Sequence, residues 1–130
     1  MEIALAQAGL RASEIQHLNA HSTSTPVGDL SELEAIKRVF GRDGAIAVSA
    51  TKSATGHLLG AAGGVEAIFT ILALRDQVAP PTLNLDNADP AAGGIDLVAN
   101  AARRMPIEHA ISNGFGFGGV NASLVFRRWA

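Results

Sequence analysis

No cysteine occurs anywhere in the 130 residues. That absence excludes disulfides, thiolate metal sites and every mechanism in which this chain itself supplies a thiol nucleophile. On redox compartment it says only that the cytoplasm is permitted. A surplus of positive charge is also missing: the formal net charge is −2, and Lys and Arg never cluster beyond pairs such as Arg103-Arg104. Without a basic footprint, neither a nucleic-acid partner nor an anionic membrane surface is expected. The longest apolar stretch, Leu58 to Leu74, is interrupted by Glu66 and reads as a buried helix of a soluble fold, not a membrane span. Met1-Glu2-Ile3 lacks the basic region and apolar core of a secretory signal, which makes the cytoplasm the expected location.

What is present suits one folded domain over residues 1–130. Apolar residues make up 48% of the chain and charged residues 17%, far from the composition of disordered segments. A domain of this size buries roughly 65–70% of the surface its unfolded chain exposes, enough for a sizeable core.

Periodicity sets the order of elements. Ile3 to Ala8 reads as a helix that Gly9 stops, and Ile15 to Ala20 as a short strand running into the polar loop His21-Ser22-Thr23-Ser24-Thr25-Pro26. Asp29 and Glu32 have the spacing of a capping box, with Leu30, Leu33, Ile36, Val39 and Phe40 following at helical intervals up to Gly41. A second strand is expected over about Ala45 to Ser49, then a polar segment from Ala50 to His57. A third helix follows over about Leu58 to Arg75. Its Gly60 to Gly64 stretch, with nothing larger than a methyl, predicts close backbone packing against a neighbour. After Pro80-Pro81 an irregular connection leads to an edge strand at Ile95 to Val98, and Ile107 to Ser112 and Val120 to Phe126 read as two final strands. The order α-β-α-β-α-β-β predicts an α/β layered domain, its sheet parallel at first with an antiparallel pair at the end.

Two histidines and a lysine fall in loops that follow strands, where ligand sites gather in open α/β sheets: His21, Lys52 and His57. A helix starting just after His57, with Lys52 nearby, predicts an uncharged imidazole there. A neutral imidazole can donate a hydrogen bond to a thioester carbonyl and stabilise the enolate left when a malonyl group loses carbon dioxide. The plainer reading has each histidine capping or filling its own loop and Lys52 solvated. For Thr23 and Thr25 it has loop or helix-cap hydroxyls. No metal site is expected: His17 and His21 stand four apart but lie in a strand-like run without Glu or Cys beside them. A serine hydrolase assembled from Ser22 or Ser24, a histidine and Asp29 lacks the G-x-S-x-G elbow. Gly114, Gly116 and Gly119 match G-x-G-x-x-G, yet a strand-like run follows where a dinucleotide site needs a helix. The same turn can instead bring a backbone amide and an aromatic wall of Phe115 and Phe117 against a substrate.

Three segments read together carry more than any of these. They are Asn19 to Asp29 (NAHSTSTPVGD), Ser49 to Gly63 (SATKSATGHLLGAAG) and Asn113 to Asn121 (NGFGFGGVN). In that order they resemble the β-ketoacyl-[acyl-carrier-protein] synthases, most closely the type II condensing enzymes of bacterial fatty-acid synthesis. The resemblance implies the thiolase-like fold, of which this chain would be most of the C-terminal half, a fragment without the nucleophile-bearing N-terminal half. It implies a decarboxylating condensation of an acyl-enzyme thioester with malonyl-acyl carrier protein, with the acyl chain on a cysteine that this chain does not contain. It implies roles for His21 and His57 as the paired histidines, Lys52 as their support, Thr23 and Thr25 as contacts to the phosphopantetheine arm, and Phe117 as a gating residue whose amide shares the oxyanion hole. Glu66 would belong to a structural polar network. No cofactor is implied beyond the phosphopantetheine carried by acyl carrier protein, which is the expected partner, and the parent enzyme would be a cytoplasmic homodimer. The fragment alone is expected to be inactive and to expose apolar surface. A non-catalytic partner subunit of the chain-length-factor kind and a decarboxylase of the same fold stand as alternatives. Two positions depart from the family pattern: Ser22 replaces the usual glycine, and Gly114 stands where serine is common.

Overall fold

The computed structural model describes residues 1–44 and 46–129. Its strands are β1 (His17–Asn19), β2 (Ala47–Ser49), β3 (Val78–Ala79), β4 (Asp96–Leu97), β5 (Arg103–Arg104), β6 (His109–Phe115) and β7 (Asn121–Arg127). The helices are α1 (Glu2–Ala8), α2 (Pro26–Phe40), the single turn α3 (Lys52–Thr55) and α4 (Ala62–Asp76). Five strands form one sheet in the order β4-β2-β1-β6-β7. The first four run parallel and β7 returns antiparallel to β6, as the sequence predicts.

Alternation along the central strands sorts side chains to two faces. Leu18, Val48 and Ile111 join Leu5 of α1 and Ile36 and Phe40 of α2 in one core. Ala47 and Ala110 point the other way, toward Ala73 and Leu74 of α4. A mixed sheet therefore lies between α1 and α2 on one side and α4 on the other. Full burial of side chains such as Leu18, Ile36 and Ile111 stabilises this arrangement by about 1.5–3 kcal/mol each. Gly9 ends α1 at φ 67, the left-handed conformation that glycine adopts without steric cost.

Several expectations change. Of the second strand, Ala47–Ser49 is found, and Ala45 lies outside the described residues. The polar segment after it contains α3. The third helix begins at Ala62, not Leu58, because Leu59 sits at φ 51, a conformation no right-handed helix accommodates. The positive end of α4 is thus separated from His57 by a short turn. Asp29 and Glu32 form no capping box: α2 starts at Pro26, whose missing N–H costs nothing at a first turn, and this turns Glu32 inward. Among the described residues no neighbour packs on Gly60, Gly63 or Gly64, where an added Cβ would meet nothing within 4 Å. Leu59, Ile68 and Ile71 are exposed along the same part of the chain, in keeping with the expected apolar surface. The two-residue strands β3 and β5 pair antiparallel as a separate small sheet that periodicity does not predict.

Candidate active site

β1 and β2 end together, Asn19 opposite Ser49, so the loops that follow leave the same edge of the sheet side by side. Asn19 locks this exit. Its amide oxygen accepts from the Thr51 hydroxyl at 3.0 Å, and its amide nitrogen donates to the Glu66 carbonyl of α4 at 3.3 Å. Lys52 then enters the interior, 7% exposed, and donates to the Glu66 carboxylate, itself 2% exposed. Burial of an ammonium demands such a partner.

The same ammonium lies 3.3 Å from Nδ1 of His21. An ammonium has no acceptor, so it donates, and the proton of a neutral His21 is left on Nε2. Burial and then the positive charge of Lys52 push the His21 pKa below the ordinary histidine value, with Glu32 opposing them. The imidazole is uncharged at neutral pH, with one N–H to give. The His57 ring stands edge-on to that of His21, centroids 5.5 Å apart at 89°, and Phe115 packs against His21 at 5.9 Å.

Glu32 holds the His21 loop from below. It is 4% exposed, and its carboxylate accepts from the backbone amides of His21 at 2.9 Å and Ser22 at 2.8 Å. It accepts also from the side chain of Asn113 in β6 at 2.9 Å, which in turn accepts from Ser123 of β7. One buried acid thus joins the histidine loop to the β6–β7 hairpin. Sequence reasoning misses this role. The available signal is the placement of Glu32 on the core-facing stripe it shares with Ile36 and Phe40, where an acid needs a buried partner.

A cleft of about 840 Å³ opens over the pair, lined among others by His21, Thr23, Thr25, His57, Phe115 and Phe117. Every candidate residue except Lys52 therefore borders one space, and Lys52 reaches it through His21. The Thr23 and Thr25 hydroxyls are 3.2 Å apart. Gly28 leaves room for the latter, since a Cβ there would come within 2.5 Å of the Thr25 hydroxyl. Phe117, at the turn between β6 and β7, is fully exposed; of the two phenylalanines only Phe115 packs on His21.

Other readings of these residues lose their geometry. Asp29 makes no hydrogen bond to either histidine among the described residues, which removes the hydrolase arrangement. No cluster of three or more His, Cys, Asp or Glu that could hold a metal is found among the described residues. His17 is fully buried, turned toward Ser49 at 3.0 Å. Ser49 gives its single proton to the Pro80 carbonyl at 2.5 Å, so His17 donates from Nε2 and its Nδ1 has no partner among the described residues.

Burial, and then the charge of Arg103, lower the His17 pKa to about 4. The unfolded chain, with the ordinary value of 6.5, binds this proton more readily, so stability is complete above pH 6.5 and falls as pH drops toward 4. The loss from this group reaches about 2 kcal/mol by pH 5. Thermal unfolding of the wild type and of His17→Gln at pH 7 and pH 5 checks it. The variant is expected to lose less between the two, and an equal loss would assign the acid sensitivity elsewhere.

Residues 1–86 match the family described as "Beta-ketoacyl synthase, C-terminal domain". The chain belongs to this family. Among curated β-ketoacyl synthase relatives, the 3-oxoacyl-[acyl-carrier-protein] synthase 2 of Vibrio harveyi is 53% identical over 133 residues, covering 100% of this chain and 32% of that protein. The enzyme of the same name from Rhizobium meliloti is 55% identical over 130 residues, 99% of this chain and 30% of that protein. Among solved structures, a beta-ketoacyl synthase from Burkholderia phymatum superposes with a TM-score of 0.95 at 44% identity, covering 100% of this chain and 31% of that one. A type II PKS acyl-carrier protein complex with its ketosynthase gives 0.92 at 33% identity, covering 99% and 32%. The chain therefore spans about a third of the length of the synthases it matches. The expected thiolase-like, mixed α/β architecture is borne out. No helix among the described residues is long and apolar enough to cross a membrane.

Proposed function

We propose that this chain provides the acid–base and oxyanion groups of a β-ketoacyl-acyl carrier protein synthase. Its reaction joins an acyl thioester to malonyl-acyl carrier protein with loss of carbon dioxide, in fatty-acid chain elongation. The observation that carries the reading is the meeting of His21 and His57 at one cleft, with the buried Lys52 behind His21 leaving it neutral and its Nε2 proton free.

The chemistry follows from those groups. As the malonyl C–C bond breaks, its electron pair moves toward the thioester carbonyl, and the oxygen gains charge. N–H donors from the neutral His21 and from His57 stabilise that enolate without reorganisation, an interaction worth roughly 10²–10³ in rate for each donor. The enolate carbon then attacks an acyl thioester whose thiol comes from outside these 130 residues, since they contain no cysteine. The second oxyanion takes the backbone N–H of Phe117, and collapse expels the thiolate. Thr23 and Thr25 hydrogen-bond the phosphopantetheine arm, which enters along the cleft they border. The relatives bear the name of the acyl-carrier-protein enzyme, and one solved neighbour is a ketosynthase bound to its carrier protein. Both support acyl carrier protein as partner. A homodimer in the cytoplasm is the assembly expected of the whole enzyme.

Incubating the full-length enzyme that carries this chain with acyl- and malonyl-acyl carrier protein tests the proposal. One carbon dioxide per β-ketoacyl product is the expected stoichiometry, with no product from residues 1–130 alone. Carbon dioxide without condensation would indicate a decarboxylase, and neither product a partner subunit of the chain-length-factor kind.

A further inference from the structure

Ser22, next to His21, has a φ of 27°. For a residue with a Cβ the left-handed basin is small and centred near +50 to +70°, so this backbone lies on its costly side, where glycine alone moves freely. Ser24 follows at φ 64, so the loop departs twice from ordinary backbone within three residues. Such conformations persist only where the surroundings impose them.

The surroundings here are one carboxylate. The Ser22 amide donates to Oε2 of Glu32 at 2.8 Å, and its hydroxyl stands 3.4 Å from the same oxygen. The other oxygen accepts from the His21 amide at 2.9 Å. The two contacts clamp the peptide plane between His21 and Ser22 against the carboxylate, and the chain that must then reach Pro26 at the start of α2 leaves that plane through the Ser22 φ of 27°. Glu32 is buried and anchored independently by Asn113 of β6, so the pull has a fixed point.

We infer that Ser22 is a positioning residue that makes the placement of His21 conditional on the Glu32 carboxylate. With glycine at this position the turn would be at home without help. With serine it is a sprung turn, held by Glu32 and released when Glu32 loses its acceptor strength. The hydroxyl offsets part of the strain through its contact with the carboxylate, and the longer 3.4 Å distance makes that offset the smaller of the two effects.

A double-mutant cycle in the full-length enzyme tests this, its rates resting on the condensing function proposed above. Glu32→Gln is expected to lower the decarboxylation kcat on malonyl-acyl carrier protein about tenfold or more, and to move the acidic limb of its pH profile as His21 leaves Lys52. Adding Ser22→Gly is expected to return several-fold of that loss and to restore the limb. Additive rates, with no rescue, overturn the inference. Thermal unfolding gives an arm that needs no activity and no Glu32 variant. Melting temperature should be lowest for Ser22→Ala, higher for the wild type and highest for Ser22→Gly, with steps of roughly 1–3 °C. A wild type that melts above Ser22→Gly shows that the serine backbone is unstrained and also overturns it. If no variant and no wild type acts on malonyl-acyl carrier protein while this order holds, the proposed function fails and the sprung turn stands.

Discussion

Replacing His21 with alanine in the full-length enzyme is expected to lower kcat/KM for condensation by two to four orders of magnitude, with little change in melting temperature. The side chain is only half-buried, so its truncation leaves no large cavity. Its chemical loss is larger. In the proposed reaction the imidazole donates its Nε2–H as a hydrogen bond to the growing enolate, and one such donor accounts for roughly 10²–10³ in rate. His21 also accepts from the Lys52 ammonium at Nδ1, and without it that buried cation keeps Glu66 as its remaining side-chain partner. Steady-state kinetics on malonyl-acyl carrier protein check the effect. A loss below tenfold would show that His57 alone can hold the oxyanion and that His21 serves the loop, not the chemistry. The pH dependence adds a second check. Because its pKa lies below the ordinary histidine value, wild-type activity should persist on the acid side of that value and fall only as His21 gains a proton.

Glu66→Ala is expected to have the largest effect on stability, about 3–5 kcal/mol, measurable by denaturant or thermal unfolding. Lys52 and Glu66 are almost without solvent contact, and the first would keep a full charge in a site built for a pair. Burial raises the Glu66 pKa while the hydrogen bond and charge of Lys52 lower it, so the Glu66 carboxylate depends on Lys52 to hold its charge. Glu66→Gln, which keeps an acceptor oxygen for the ammonium, should recover part of the loss. If Glu66→Ala costs under about 1 kcal/mol, water reaches Lys52 and the pair is not buried in solution.

The large elements were legible because their patterns are strong. Alternation marks β7, and the helical stripe through Ile36 and Phe40, which face the core, marks α2. The candidate residues were legible because loops at the ends of parallel strands converge by topology, whatever their sequence. Four features were not. The start of α4 depends on the backbone of Leu59, and no propensity predicts a leucine at positive φ. The small β3–β5 sheet is too short for periodicity to register. Glu32 has the spacing of half a capping box, and spacing alone cannot tell whether an acid faces the helix amides or the interior. Phe115 and Phe117 look alike in the sequence, and only the end of β6 decides that the first reaches His21 while the second stands in the open.

The pairing of Asn19 with Ser49 has a meaning for how the chain folds. His21 and Lys52 are thirty-one positions apart in the chain and meet only because two three-residue strands align in one register. A slip of one residue would turn every side chain of a strand to the opposite face, and Asn19 would no longer meet Thr51. The His21–Lys52 contact is therefore a reporter of strand alignment: in the proposed reaction, activity per molecule would count the fraction of chains that paired Asn19 with Ser49.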